Sequence, residues 1–194
     1  VSAETAEYAR KAAKTLVSSM SFKNAESMWL QASRLENDGG ARLEALFNAI
    51  ELEMQLNDID AARKSTRSLK EMALSADSKS YIWRSYHLEG KIETHNRATL
   101  DGMVHYDRAL DEAMKVGEID GLARVLSSKS VSYLRMGNFD EGIPLLEHSI
   151  QNFRRAGNIQ GEYRNLVNLG NALSRKGELG NAEKFINQGL EIAR

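Results

Sequence analysis

The chain has 194 residues, 42% of them apolar and 27% charged, with 26 basic side chains against 27 acidic ones. That balance excludes disorder, and a net charge of −1 argues against a protein that coats nucleic acid, although a local basic strip can hide inside it. The chain contains no cysteine, which excludes disulfides, thiolate metal sites and thiol catalysis and fits a reducing, cytoplasmic setting.

One proline among abundant Ala, Leu, Glu, Arg and Lys is an all-helical mixture. No apolar run reaches the length of a membrane span, and the opening VSAETAEYARKAAK lacks a signal-peptide core. A chain that opens on Val1 and stops inside a helical pattern reads as a piece of something longer. Periodicity predicts ten helices, at 4–19, 22–36, 40–56, 59–74, 78–95, 99–116, 119–136, 139–156, 159–176 and 179–193. Turn chemistry marks the reversals, as at Asp38-Gly39-Gly40, Met136-Gly137-Asn138 and Lys176-Gly177-Glu178.

The helices pair, and the pairs repeat. With Tyr163 as position 1, steps of 40 residues lead back to Ala123, Trp83 and Leu43, and position 20 stays small throughout: Ala182, Gly142, Gly102 and Ala62. The first unit is offset by 37, with Ala6 at position 1, Ala25 at 20 and Trp29 at 24. The linkers VGEIDGLAR (116–124) and AGNIQGEYR (156–164) share a frame. Small residues at positions 8 and 20 let two helices approach closely, while positions 4, 7, 11 and 24 fill the seam. One pair cannot bury its stripe alone, so neighbouring pairs must stack.

Three places depart from the pattern. Glu89 and Glu93 occupy positions 7 and 11, beside the core-like Leu88 and Ile92, which predicts that this helix is rotated or shifted by one residue. The second unit has Ile50 at 8 and Glu53 at 11. Pro144 predicts a kink near the start of the eighth helix. Trp29 reads as core, and Trp83 as packing between repeats.

The last unit, GEYRNLVNLGNALSRKGELGNAEKFINQGLEIAR (161–194), resembles a tetratricopeptide repeat (TPR). Its NLGN and GELGNAE segments are similar to the LGN-type signature. The 40-residue period resembles the elongated repeats of such scaffolds and of bacterial MalT-like, Rap-type and PlcR-type regulators. The resemblance implies one all-α superhelix (α-solenoid) over 1–194 with five helix-turn-helix repeats, at about 6–42, 43–82, 83–122, 123–162 and 163–194. It also implies that the first (A) helix of each pair lines a concave groove for a peptide or protein.

In that family the groove-facing positions of helix A are 2, 5, 6, 9, 12 and 13. They fall here on Asn48 in the second repeat, on Arg84, His87 and Lys91 in the third, and on Arg124, Ser128 and Arg135 in the fourth. In the fifth they fall on Arg164, Asn168, Asn171 and Arg175. The resemblance implies that the asparagines grip peptide backbone, because one amide both donates and accepts. Arg84, Lys91, Arg124, Arg135, Arg164 and Arg175 imply an acidic ligand. The dicarboxylate clamp of chaperone-binding relatives is not reproduced, since Asn171 is preceded at position 5 by Val167.

Other chemistry finds no support in the sequence. His87 and His95 are eight residues apart, about 12 Å along a helix, which is too far for one metal ion. No hydrolase, zinc-protease or phosphate-loop motif is present, so neither catalysis nor a cofactor is expected. The expected function is a protein-interaction module without direct nucleic-acid or membrane partners. The alternative is a sensor domain of a larger signalling or transcription-regulating protein. Phe185, Ile186 and Leu190 on the last helix could support self-association.

Overall fold

The computed structural model describes residues 3–95 and 100–193. These contain ten helices and no strand: α1 (Ala3–Ser18), α2 (Phe22–Leu35), α3 (Gly39–Gln55), α4 (Ile59–Ser75), α5 (Lys79–Glu93), α6 (Leu100–Val116), α7 (Ile119–Arg135), α8 (Phe139–Arg155), α9 (Ile159–Lys176) and α10 (Leu179–Ile192). Each lies within about two residues of its expected bounds. None of the described helices is long and apolar enough to cross a membrane.

The punctuation explains that agreement. From the second repeat onward, a residue with positive φ closes a helix every twenty positions: Asn57, Asp77, Gly117, Gly137, Gly157 and Gly177, with position 97 outside the described residues. Glycine adopts this left-handed conformation without steric cost, and Asn and Asp tolerate it better than most residues. Several of these residues are followed at once by an N-cap. The side chains of Asp58, Asn138 and Asn158 accept from the amides of Ala61, Glu141 and Gly161. Asp38 caps Ala41 in the same way.

The chain divides into two compact units, Val1–Leu88 and Glu89–Arg194, with α5 running across the division. In unit 1, α2 packs on α1 and α3, and α3 on α4. Its core is alanine-rich: Ala9, Ala13, Ala25, Ala32, Ala45 and Ala49 close around Trp29 and Leu52. In unit 2 consecutive helices pack from α6 through α10, and α7 also touches α9. The core there is built from Leu134, Leu146, Ile150, Leu166, Leu169, Ala172, Leu173 and Ala182.

The small residues at position 20 are all inside: Ala25, Ala62 and Ala182 are buried, as are Gly102 and Gly142. A Cβ added to Gly142 would lie 2.7 Å from Leu134 Cδ2, and one added to Gly102 would lie 2.5 Å from Thr94 Cγ2. Trp83 is buried, as expected of a packing residue. Phe185 packs against the unit 2 core and Ile186 against Gly170, so of the three residues considered for self-association only Leu190 is largely exposed.

One of the departures resolves differently from expectation. The fifth helix keeps its register: Gly90 at position 8 meets the Tyr106 ring at position 24, as Gly170 meets Ile186 in the last repeat. No one-residue shift occurs, because Leu88 and Ile92 are buried at positions 6 and 10 while Gly90 stays in the seam. Glu89 lies with a carboxylate oxygen 3.2 Å from His105 Nδ1, and Lys129, at the same position 7 one repeat later, pairs with Asp107. Helix α8 runs uninterrupted from Phe139 to Arg155 with Pro144 inside it, on the exposed side.

Glu53 is the third departure. It is only 2% exposed, at a position the repeat reserves for an apolar side chain. One carboxylate oxygen accepts from Ser65 Oγ (2.9 Å), while the other is buried without a partner among the described residues. Burial pushes its pKa up, the Ser65 hydrogen bond opposes that, and the nearby charges of Glu26 and Asp58 push it further up. An acid that holds its proton more tightly when folded adds stability below its unfolded pKa and loses that contribution as pH rises through the folded value. Glu53→Gln is therefore expected to stabilise unit 1 by on the order of 1 kcal/mol at pH 8 and by much less at pH 4. Urea denaturation of both proteins at the two pH values checks this, and an equal difference at both contradicts it.

Candidate peptide-binding faces

On each A helix, positions 2, 6, 9 and 13 are spaced i, i+4, i+7 and i+11 and so form one stripe. On α3 that stripe is Glu44, Asn48, Glu51 and Gln55, and all four line one cavity of about 390 Å³ in unit 1. Lys14 and Val17 of α1 form the facing wall, with Trp29 and Leu52 beneath. The Asn48 amide is half-buried and makes no hydrogen bond to another described residue. The stripe that the resemblance implies borders a concavity here.

Arg84 and His87, also in unit 1, are engaged differently. The Arg84 guanidinium donates to Ser80 O (2.7 Å) and lies over the rings of Trp83 (4.6 Å) and Tyr81 (5.2 Å). His87 stacks on Trp83 with ring centroids 6.3 Å apart. Tyr81 in turn meets the edge of Phe47 at 6.2 Å. These contacts immobilise both side chains within an aromatic cluster.

Unit 2 carries the remaining candidates. On α9 the stripe is Arg164, Asn168, Asn171 and Arg175; on α7 it is Arg124, Ser128, Val131 and Arg135. Lys91, near the end of α5, and Ser128 are half-buried. Arg124 is paired with Asp120 at 2.6 Å, and Asp120 also accepts from the Asn158 amide. Arg135 reaches back to the end of α5 and donates to the carbonyls of Thr94 (3.1 Å) and His95 (2.8 Å), a cation closing the negative end of a helix. Arg175 lies over the Phe139 ring at 5.2 Å.

The basic strip is thus not one uniform field. Arg84 lies in unit 1 and the other five cations in unit 2, where Arg124 and Arg135 already have partners. Arg164 is exposed and makes no ion pair among the described residues. Asn168 (half-buried) and Asn171 (exposed) likewise have no hydrogen-bond partner there.

The positions that the resemblance implies do not include Asn165. It stands at position 3, which is buried in the last four repeats as Ala45, Ser85, Val125 and Asn165. Its carbonyl accepts from Ser127 Oγ (2.8 Å), its amide donates to Ser149 Oγ (2.6 Å), and Ser149 donates to the Ala123 carbonyl (2.6 Å). This relay ties α7, α8 and α9 together and leaves the Asn165 amide with both its groups engaged.

Residues 121–194 match the family model described as tetratricopeptide repeat. Solved structures extend the likeness over the rest of the chain. A Rap protein complexed with Competence and Sporulation Factor superposes with a TM-score of 0.89 at 12% identity, covering 100% of this chain and 55% of that one. BtubC (BKLC) from P. vanneervenii gives 0.74 at 14% identity, covering 98% and 87%. A signal transduction ATPase with numerous domains (STAND) with a tetratricopeptide repeat sensor, from Pyrococcus horikoshii, gives 0.74 at 18% identity, covering 95% and 28%. Residues 121–194 are tetratricopeptide repeats, and the chain shares the fold of such proteins. At these identities the structural likeness is one of fold, the all-α TPR superhelix, and the chain spans about half of the Rap protein and less than a third of the STAND protein. No curated protein sequence matches it. In this fold α1, α3, α5, α7 and α9 are the first helices of five helix pairs.

Proposed function

We propose that this TPR chain binds a polypeptide segment along the exposed stripes of its A helices, and that the stripes of unit 2 favour an acidic segment. The observation that carries this reading is the state of three amides. Asn48, Asn168 and Asn171 lie on those stripes with no partner among the described residues, whereas the equally polar Asn165 is buried and satisfied. An amide left open on a helix face can take a peptide carbonyl and a peptide N–H together. Arg164 supports the acidic preference, being an exposed cation that no carboxylate among the described residues neutralises.

Peptides selected on the purified chain from a random-sequence display library test the reading. The selected peptides are expected to be rich in Asp and Glu. Arg164→Glu should weaken them about tenfold and flatten the salt dependence of binding. Arg124→Glu should do less, because Asp120 already offsets that charge. Unchanged affinity in Arg164→Glu would remove the acidic preference.

A sensor role, in which occupancy controls an attached output domain, is the second reading. It is supported by the fold shared with a Rap protein complexed with Competence and Sporulation Factor and with a STAND protein's repeat sensor. It requires the segment to bind two conformations of the chain with different affinities.

A further inference from the structure

We propose that the α9 stripe selects an extended segment that carries two acidic side chains about five residues apart. This rests on the reading of the A-helix stripes as the docking face and adds the register of the ligand. All four groups concerned stand on one helix, so the helix itself fixes their spacing. Arg164 and Arg175 are eleven residues apart, about 16 Å along the axis, with Asn168 and Asn171 between them. Around the axis the four positions fall within about 60°. A segment that meets all four therefore runs along α9.

The two cations at the ends of this stripe have no carboxylate of their own. Glu162 is the one acidic residue of α9, and Arg154 holds it at 2.5 Å. At the other end Lys176 lies 3.1 Å from Asp140 and 3.7 Å from Glu178. Neither Arg164 nor Arg175 makes an ion pair among the described residues, and Arg175 rests over the Phe139 ring. Charge complementarity thus calls for an acid at each end of the stripe.

The asparagines decide the conformation of the segment between those acids. Their amides take main-chain carbonyl and N–H groups, which a helical segment has already paired within itself. An extended segment presents both along its edge. At about 3.3 Å per residue, the 16 Å from one arginine to the other corresponds to about five residues of extended chain. A helical segment would need eleven residues to cover the same distance and would leave both amides unused.

The test uses the full chain and three twelve-residue peptides, each with two aspartates as its sole charges. Two have a glycine-serine background with the aspartates at i, i+2 or i, i+5, and the third is an alanine-rich helix with them at i, i+11. Side-chain amide resonances of Asn168 and Asn171 are the readout. The i, i+5 peptide is expected to bind about fivefold tighter than the i, i+2 peptide, because the latter spans less than half the distance between the arginines. Arg175→Gln should bring the two to within about twofold of each other. Arg175 is exposed, so the fold should persist, as circular dichroism will show. The proposal is overturned if the i, i+2 peptide binds as tightly as the i, i+5 peptide, if the difference survives in Arg175→Gln, or if the helical peptide binds tightest. Binding that ignores spacing yet weakens in Arg164→Glu would leave the docking-face reading standing. Asn168 and Asn171 unmoved by all three peptides would remove both.

Discussion

Gly170→Val is expected to cost roughly 3 kcal/mol of the stability of unit 2. A Cβ at Gly170 would sit 2.5 Å from Ile186 Cγ1 and 3.1 Å from the Ala182 carbonyl oxygen. The Ile186 side chain can turn aside, but the Ala182 carbonyl belongs to helix α10 itself, so relief requires α9 and α10 to move apart. Separation would loosen the contacts that Leu166, Leu169, Leu173 and Ala182 make in the core, where packing leaves no slack. The helix-propensity gain from replacing glycine, at most about 1 kcal/mol, cannot offset that. Gly180→Ala is the control: nothing lies within 4 Å of its Cβ position, and it should be neutral or slightly stabilising. Urea denaturation read by circular dichroism separates the two. Coincident midpoints for Gly170→Val and the parent would mean that the helices of a pair do not nest through their small residues.

Helix ends and repeat phase were legible because they are written in local chemistry. A left-handed residue followed by a capping side chain, as at Gly157-Asn158, needs no distant partner to be recognised. The small residue of position 20 is fixed by contact within one helix pair, so stepping along the sequence finds it every time. What escaped were choices of partner made across repeats. Arg135 and Arg164 look alike in sequence, yet one reaches 41 residues back to a helix end and the other stays open to solvent. Asp120 serves Arg124 within its own helix and Asn158 in the next linker, and no periodicity ranks those partners. The register of α5 was hidden for a related reason: two glutamates in seam positions suggest a shift, while the side chain beside Glu89 is His105, sixteen residues on in the next helix.

Asn168→Ala combined with Asn171→Ala is expected to weaken selected peptides by about 2 to 3 kcal/mol, roughly 30- to 150-fold. Each amide offers a donor and an acceptor to the peptide main chain, and none of the four groups has a partner within the described structure. The same absence of partners means that folding stability should stay within about 0.5 kcal/mol of the parent. Binding loss without stability loss distinguishes these residues from Asn165, whose removal would take the acceptor from Ser127 Oγ and the amide donor from the buried Ser149 Oγ.

The most direct measurement is the side-chain amide spectrum of chain labelled with nitrogen-15 at asparagine only, recorded as a selected peptide is added. Asn168 and Asn171 should shift together with increasing peptide, and Asn165 should hold its position. Movement confined to asparagines off the A-helix stripes, such as Asn152 of α8 or Asn181 of α10, with Asn168 and Asn171 unmoved, would place the partner elsewhere and contradict the account.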